Sequence, residues 1–273
     1  MKALILSDLH QYSIFMFERF FNKLPNKELY DIVIIAGDTT NGNNDLLKYI
    51  IDKFEKPTYF VLGNHCYYHR SINEVVQYCL ENNLNLLYGC NEFKIKHNDK
   101  EYTLIGGTGW SSYTLYEEKT KEYYKEHSQY LVNDFKLIYT DDNKTILPDH
   151  YETLHNSEWN FYSQYKNKDN VILITHFPMS KICLNPFYEK DIYKDLNPYF
   201  INNKNTSGFK LIISGHVHNC VEAKDEYGCT HIVNAYGYGS EFQRISQDNI
   251  VASNGFNSHY IINMDDYLLN IQT

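Results

Sequence analysis

Residues 32–38 read Ile-Val-Ile-Ile-Ala-Gly-Asp, a continuous apolar run (Ile32–Ala36) that ends on a glycine and a carboxylate. Alternate side chains of an extended segment point to opposite faces, so a run apolar throughout is covered on both. That is the condition of a parallel strand sandwiched by other layers, not of a half-exposed antiparallel one. The reading extends outward in both directions. Residues 2–7 and 58–62 are similar apolar runs, and residues 14–24 between them read as helix. Residues 45–54 place Leu46, Leu47, Ile50, Ile51 and Phe54 at helical spacing. Residues 71–83 read as a third helix, with Ser71 as N-cap and Glu74 closing a capping box. Strand and helix in alternation predict an α/β fold.

The pattern then loosens. Short strands are expected at 84–87, 93–95 and 102–105, the last two flanking a polar turn at 97–100. Residues 110–168 are rich in Glu, Lys and Tyr and broken at Pro148, which predicts exposed helices near 116–131 and 150–165. Strands resume at Val171–Thr175, 210–214, 230–234 and 259–263. No internal repeat or low-complexity linker divides the chain. The expectation is one domain over residues 1–273, with 108–168 as a helical insertion or cap.

The residues that close the apolar runs carry the chemistry. In order come Asp8-Leu9-His10, Gly37-Asp38, Gly63-Asn64-His65, Thr175-His176 and Gly215-His216-Val217-His218. Taken singly, each is commonly a turn or a surface polar residue. Jointly they supply only metal ligands and proton-transfer groups, and open α/β sheets gather ligands at the carboxyl ends of their strands. On extended backbone, Asp8 and His10, like His216 and His218, would point the same way at i and i+2 and reach one ion. Asp38 offers a carboxylate, which can bridge two cations. The inventory can hold two ions and leave one histidine for acid–base work.

Composition bounds the partners. With 273 residues, 43% hydrophobic and 22% charged, the chain can build a substantial core and is ordinary for a soluble protein. A formal net charge of −9, with no Lys/Arg clusters, argues against extended duplex nucleic acid contacts. Six cysteines (66, 79, 90, 183, 220 and 229) form no CxxC pair, so reduced thiols are expected. The first apolar run is too short for a signal peptide, and no stretch is long enough to span a membrane. The expectation is a cytoplasmic protein.

The motif series D-x-H, G-D, G-N-H, H and G-H-x-H resembles the calcineurin-like metallophosphoesterase superfamily, and its blocks run through nearly the whole chain. Further matches to a subgroup of small microbial members are Gly107-Thr108-Gly109-Trp110, Asn133-Asp134, and Asn234, Gly237, Tyr238 and Glu241. The resemblance implies a four-layer αββα sandwich. It implies one ion held by Asp8, His10, Asp38 and His218, and a second held by Asp38, Asn64, His176 and His216, with Asp38 bridging. His65 would face the substrate and protonate the leaving oxygen. The reaction implied is in-line hydrolysis of a phosphoester by a hydroxide held between the ions. Two ions of Mn, Fe, Zn or Ni suit such an N/O donor set, Mn foremost.

Two departures stand out. Cys66 occupies the place of the acidic residue that usually follows the G-N-H histidine. Either His65 lacks its usual charged neighbour or another carboxylate supplies it; a redox-sensing thiol at Cys66 is a further reading. Asp38 is followed by Thr39-Thr40-Asn41-Gly42, without the arginine of the protein-phosphatase pattern. The substrate expected is a small phosphoester, such as a nucleotide, taken as a diester or a monoester. A metal-dependent nuclease and a non-catalytic scaffold of the same fold are the alternatives. Trp110 and Trp159 could stack a base, or simply pack helices onto the sandwich. Asn133, His155, Tyr236 and Tyr238 are further candidates for the rim.

Overall fold

The computed structural model describes residues 1–238 and 254–268. Its frame is two sheets packed face to face. The first joins β1 (Lys2–Leu6), β2 (Ile32–Ala36), β3 (Thr58–Val61) and β5 (Asn85–Leu87) in parallel, with β13 (Ile261–Asn263) antiparallel on the β1 edge. The second runs β11 (Val221–Lys224), β12 (Thr230–Val233), β10 (Leu211–Ser214), β9 (Val171–Thr175), β7 (Lys100–Gly107), β6 (Glu92–His97). Its four central strands are parallel and its two edge strands antiparallel. A small pair, β4 (Arg70–Ser71) with β8 (Ile138–Tyr139), lies apart.

The continuous apolar runs are explained by two cores. Along β1 and β2, Ile5 and Ile34 turn inward and meet Leu104, Ile174 and Ile213 of the second sheet. Their neighbours Leu4, Leu6, Val33 and Ile35 turn outward, under α1 (Ile14–Phe21), α2 (Asn44–Lys53) and α3 (Ile72–Glu81). On the far side, Ile105, Leu173 and Ile212 are covered by Tyr162 and Trp159 of one long helix, Pro148–Ser163. Helix, sheet, sheet, helix: the expected four-layer sandwich is what forms.

Local signals behave as chemistry requires. Ser13, Asn43 and Ser71 each accept a backbone N–H of the first helical turn. Ser71 does so from Glu74, but the Glu74 carboxylate turns to Arg70, so only half of the expected capping box is made. Asn98 and Asp99 take φ of +46° and +61°, the left-handed pair that a two-residue hairpin needs between β6 and β7.

The expectation of exposed helices in 110–168 requires correction. Besides α4 (Lys121–Leu131) and the short α5 (Asp134–Leu137), this stretch holds α6 (Pro148–Ser163), with Pro148 in its first turn. Tyr151, His155, Glu158 and Tyr162 recur on one face of α6 and are buried. The helix is the sandwich's outer layer. Its stripe mixes tyrosines with titratable residues, so apolarity alone did not reveal it.

Candidate metal centre

Five strand ends from the two sheets meet at one place. Asp8 and His10 follow β1, Asp38 follows β2, Asn64 and His65 follow β3, His176 follows β9, and His216 and His218 follow β10. The i, i+2 argument from extended backbone is wrong in its geometry. Asp8, His10, Asp38, His216 and His218 have φ of +53°, +43°, +47°, +70° and +44°. At these three strand ends, after β1, β2 and β10, the backbone enters the left-handed region, a conformation that costs a non-glycine residue energy and collects at functional sites. Glycine admits the close approach. A Cβ on Gly37 would lie 2.3 Å from His176 Nδ1, and one on Gly63 would lie 2.1 Å from Asp38 Oδ1.

Asp38 is central. Its Oδ2 lies 3.7 Å from His10 Nε2 and 3.3 Å from His176 Nε2, and its Oδ1 accepts the His65 backbone N–H at 2.9 Å. On one side, His10 Nε2 and His218 Nε2 are 3.1 Å apart, and His218 Nε2 is 3.4 Å from Asp8 Oδ1. On the other, His176 Nε2 is 3.0 Å from Asn64 Oδ1, and His216 completes a group with Asp38 and His176. Asp8 also accepts the His216 backbone N–H, which ties the two halves together.

This arrangement fits a cation. His176 Nδ1 donates to the carbonyl of Ala36 at 3.0 Å, so in its neutral form the ring turns a lone pair toward Asn64 Oδ1 and Asp38 Oδ2, both acceptors. Acceptors facing acceptors repel unless a positive charge sits among them. His216 Nε2 is buried with no hydrogen-bond partner among the described residues. Four of the five shifted groups agree. Burial would raise the Asp8 carboxyl, but the His218 hydrogen bond and charge bring it down to about 2. Burial also opposes ionisation of Asp38, yet His176 and His65 hold it well below the usual range. Burial pushes His10 down to about 4 and His216 well below its ordinary value. His176 is the exception: burial lowers it, but Asp38 more than compensates, so without a cation this ring is drawn toward its protonated form, and a bound cation would take that proton's place. Ionised carboxylates beside predominantly neutral imidazoles are what a divalent ion requires.

His65 sits at the edge of this group, with a ring nitrogen within 4.8 Å of the ligand atoms of His10 and Asp38. Its Nδ1 donates to Asn41 Oδ1 at 2.6 Å, while Tyr238 and Tyr68 hydroxyls lie 3.0 and 3.3 Å from Nε2. Of the two expected answers to Cys66, the structure matches the first: His65 Nδ1 lacks a charged partner, and a neutral amide, not another carboxylate, takes the orienting contact. Cys66 is buried, and burial followed by the Asp38 charge pushes its thiol up to about 12, which removes the redox-sensing reading.

Other expectations resolve individually. Trp110 is buried and stacked on Tyr67, and Trp159 packs on Phe209, so neither forms a stacking wall for a base. His155 is buried against the carbonyls of Gly109 and Trp110, and Tyr236 packs on Phe20 and Phe256. Tyr238 does belong to the site, stacked on His10 at 4.4 Å between ring centres. Asn234 ties β1 to the 254–258 segment through Ile5 O and Asn257 O, and Glu241 lies outside the described residues.

A cavity of about 540 Å³ opens beside the centre. Asp38, Asn64, His65 and His216 line it together with His127, Leu131 and Asn133 and with Asn185, Tyr188 and Phe200. Asn41, Tyr68 and Tyr199 were missed as site residues. The only sequence signal for the first two was spacing: each lies three residues beyond Asp38 or His65.

Fold and donor set together define a metal-dependent phosphoester hydrolase. The chain belongs to the calcineurin-like phosphoesterase family, whose model matches residues 1–220. Among solved structures, it is similar to phosphopantetheinyl hydrolase from Mycobacterium tuberculosis, at 16% identity and a TM-score of 0.69, covering 91% of this chain and 93% of that one. It also matches a dimetal phosphatase from Danio rerio at 13% identity and a TM-score of 0.44, covering 85% and 86%. A 5′-nucleotidase assigned in Staphylococcus aureus matches at 13% and 0.44, covering 85% of this chain and 48% of that one. No curated protein matches the chain. Among the described residues, no helix is long and apolar enough to cross a membrane.

Proposed function

We propose that the chain hydrolyses a small phosphate ester, such as a nucleotide, with two divalent ions bridged by Asp38. The observation that carries this reading is the convergence of carboxylate, amide-oxygen and imidazole ligand atoms on both sides of that carboxylate. Asp8, His10 and His218 would complete one ion's shell, and Asn64, His176 and His216 the other's. Bound ions supply Lewis acidity and a nucleophile derived from water at neutral pH. The metal is Mn, Fe, Zn or Ni, with Mn the first to test.

The chain's own residues do the remaining work. Asp38 ionises and separates the two ligand sets. Asn41 holds the His65 ring by Nδ1, so Nε2 is the atom that delivers a proton to the leaving oxygen. Tyr238 and Tyr68 occupy that nitrogen until substrate arrives. Within 108–168, the end of α4 and the start of α5 wall the cavity, and we assign this part the role of cap over a single domain. A small substrate is supported by the bounded cavity, and a reducing, cytoplasmic setting by six unpaired thiols.

The test is a panel of phosphomonoesters, phosphodiesters and nucleotides assayed on metal-depleted protein before and after Mn²⁺ addition. Turnover that appears on addition, with about two ions bound per chain, supports the reading. Hydrolysis undiminished by metal removal overturns it, and preference for polymeric nucleic acid replaces the small substrate with a nuclease.

A further inference from the structure

We infer that Asp134 is a positioning residue for the second ligand set, orienting the Asn64 amide oxygen toward the ion and coupling that orientation to the wall of the substrate cavity. The inference rests on the two-ion reading. Asp134 is fully buried at the start of α5, and among the described residues no Lys or Arg forms an ion pair with it. Four neutral donors converge on it instead. Oδ1 accepts Asn64 Nδ2 at 3.0 Å and the Tyr68 hydroxyl at 2.8 Å; Oδ2 accepts the Tyr151 hydroxyl at 2.7 Å and that of Tyr199. A carboxylate buried without a cation is costly, and charge-assisted hydrogen bonds at every available position are what make it tolerable.

The consequence lies in which end of each partner is used. A side-chain amide can present either oxygen or nitrogen to a neighbour, and only the oxygen ligates a cation. Asp134 accepts and cannot donate, so it takes Asn64 Nδ2 and leaves Oδ1 against His176 Nε2 at 3.0 Å. In the same way the Tyr68 proton is committed to Asp134, so the Tyr68 oxygen faces His65 Nε2 as an acceptor. Tyr151 comes from α6, and Tyr199 lines the cavity. One carboxylate thus joins a metal ligand, a neighbour of the proton-transfer histidine and the substrate wall.

Equilibrium dialysis of the full chain against Mn²⁺, with metal analysis, tests this. Wild type should bind two ions. Asp134→Asn should keep the first binding step and weaken the second about tenfold or more, because an amide at 134 lets Asn64 turn its nitrogen inward. Tyr151→Phe removes a donor from the other carboxylate oxygen; it should lower the melting temperature and leave both binding steps intact. The double variant Asp134→Asn/Asn64→Asp reverses the hydrogen bond's polarity, the introduced amide donating to the introduced carboxylate, and should restore the second step. The inference fails if folded Asp134→Asn, checked by near-ultraviolet circular dichroism, binds both ions as wild type does. If that single variant does not fold, the double variant decides: recovery of the second ion supports the inference and its loss overturns it. Wild type binding fewer than two ions breaks the two-ion reading before any variant is compared, and this inference with it.

Discussion

Among the described residues, two clusters are built from metal-binding residue types, and their difference shows what makes a metal site. Around Asp38, carboxylates, an amide oxygen and imidazoles face one another; around Asp225, Cys229 and His231 also bring potential ligand atoms within 4.8 Å. Asp225, however, is fully supplied with donors. It accepts His231 Nε2 at 2.8 Å, the backbone N–H groups of Tyr227 and Cys229 at 3.0 Å each, and the Thr206 hydroxyl. The Cys229 thiol is buried and pushed far up by that burial, so no thiolate is on offer. This second cluster closes the turn between β11 and β12. Proximity is shared by both; the excess of acceptors belongs to the first.

The sharpest way to break the comparison is to remove a carboxylate from each cluster. Asp38→Asn should abolish metal binding and cut turnover by roughly a thousandfold or more, about 4 kcal/mol of barrier. Metal analysis and kcat on the same preparation check it, and near-wild-type turnover in the metal-poor variant would end the scheme. His65→Ala should lower kcat by about 10²–10⁴-fold, the usual worth of a positioned proton donor, with metal content unchanged. Loss of metal in that variant would move His65 into the ligand set.

A third prediction uses acid. In the metal-free protein, burial holds folded His10 near 4, against an ordinary value of 6.5. The unfolded chain therefore takes up a proton first, and stability falls as pH drops from 6.5 to 4. Asp8, held near 2 against 3.8, adds a second loss between those values. Urea midpoints across pH 7 to 4 should decline, and bound Mn²⁺ should flatten the upper part of the decline. His155, also held near 4, adds to the fall, and Glu158, raised to about 7, opposes it, so a decline no shallower in His10→Asn than in wild type would contradict the burial argument for His10. The smallest effect belongs to the turn. Asp225→Asn should cost about 1.5–3 kcal/mol of stability, the range for hydrogen bonds to a charged group, with metal stoichiometry and kcat unchanged. A changed metal count there would make the two clusters alike after all.

Much of this contrast was legible along the chain. The five strand-end motifs named every ligand candidate gathered around Asp38, because each motif is local and sits at the end of a strand. The reason offered for Asp8–His10 and His216–His218 was nevertheless wrong, since alternation belongs to extended backbone and these residues leave the strand with positive φ. Asp134 was visible only as part of an Asn-Asp pair. Its partners lie 70, 66, 17 and 65 residues away, a separation no spacing rule reads. The tryptophans left two readings open, of which packing is the one the structure shows, because aromatic residues look alike in a core and in a binding wall until burial is known.

The sequence by itself determined the α/β layering and the chemical kind of the centre. Apolar runs must be buried on both faces, and the residues closing them have few chemistries in common other than metal binding. The tertiary structure decided the rest: that acceptors face acceptors around Asp38 but meet donors around Asp225, that an amide at Asn41 orients His65, and that three tyrosines and Asn64 converge on Asp134. Those outcomes depend on which donor meets which acceptor across segments distant in sequence, and only the packed sheets and helices set that pairing.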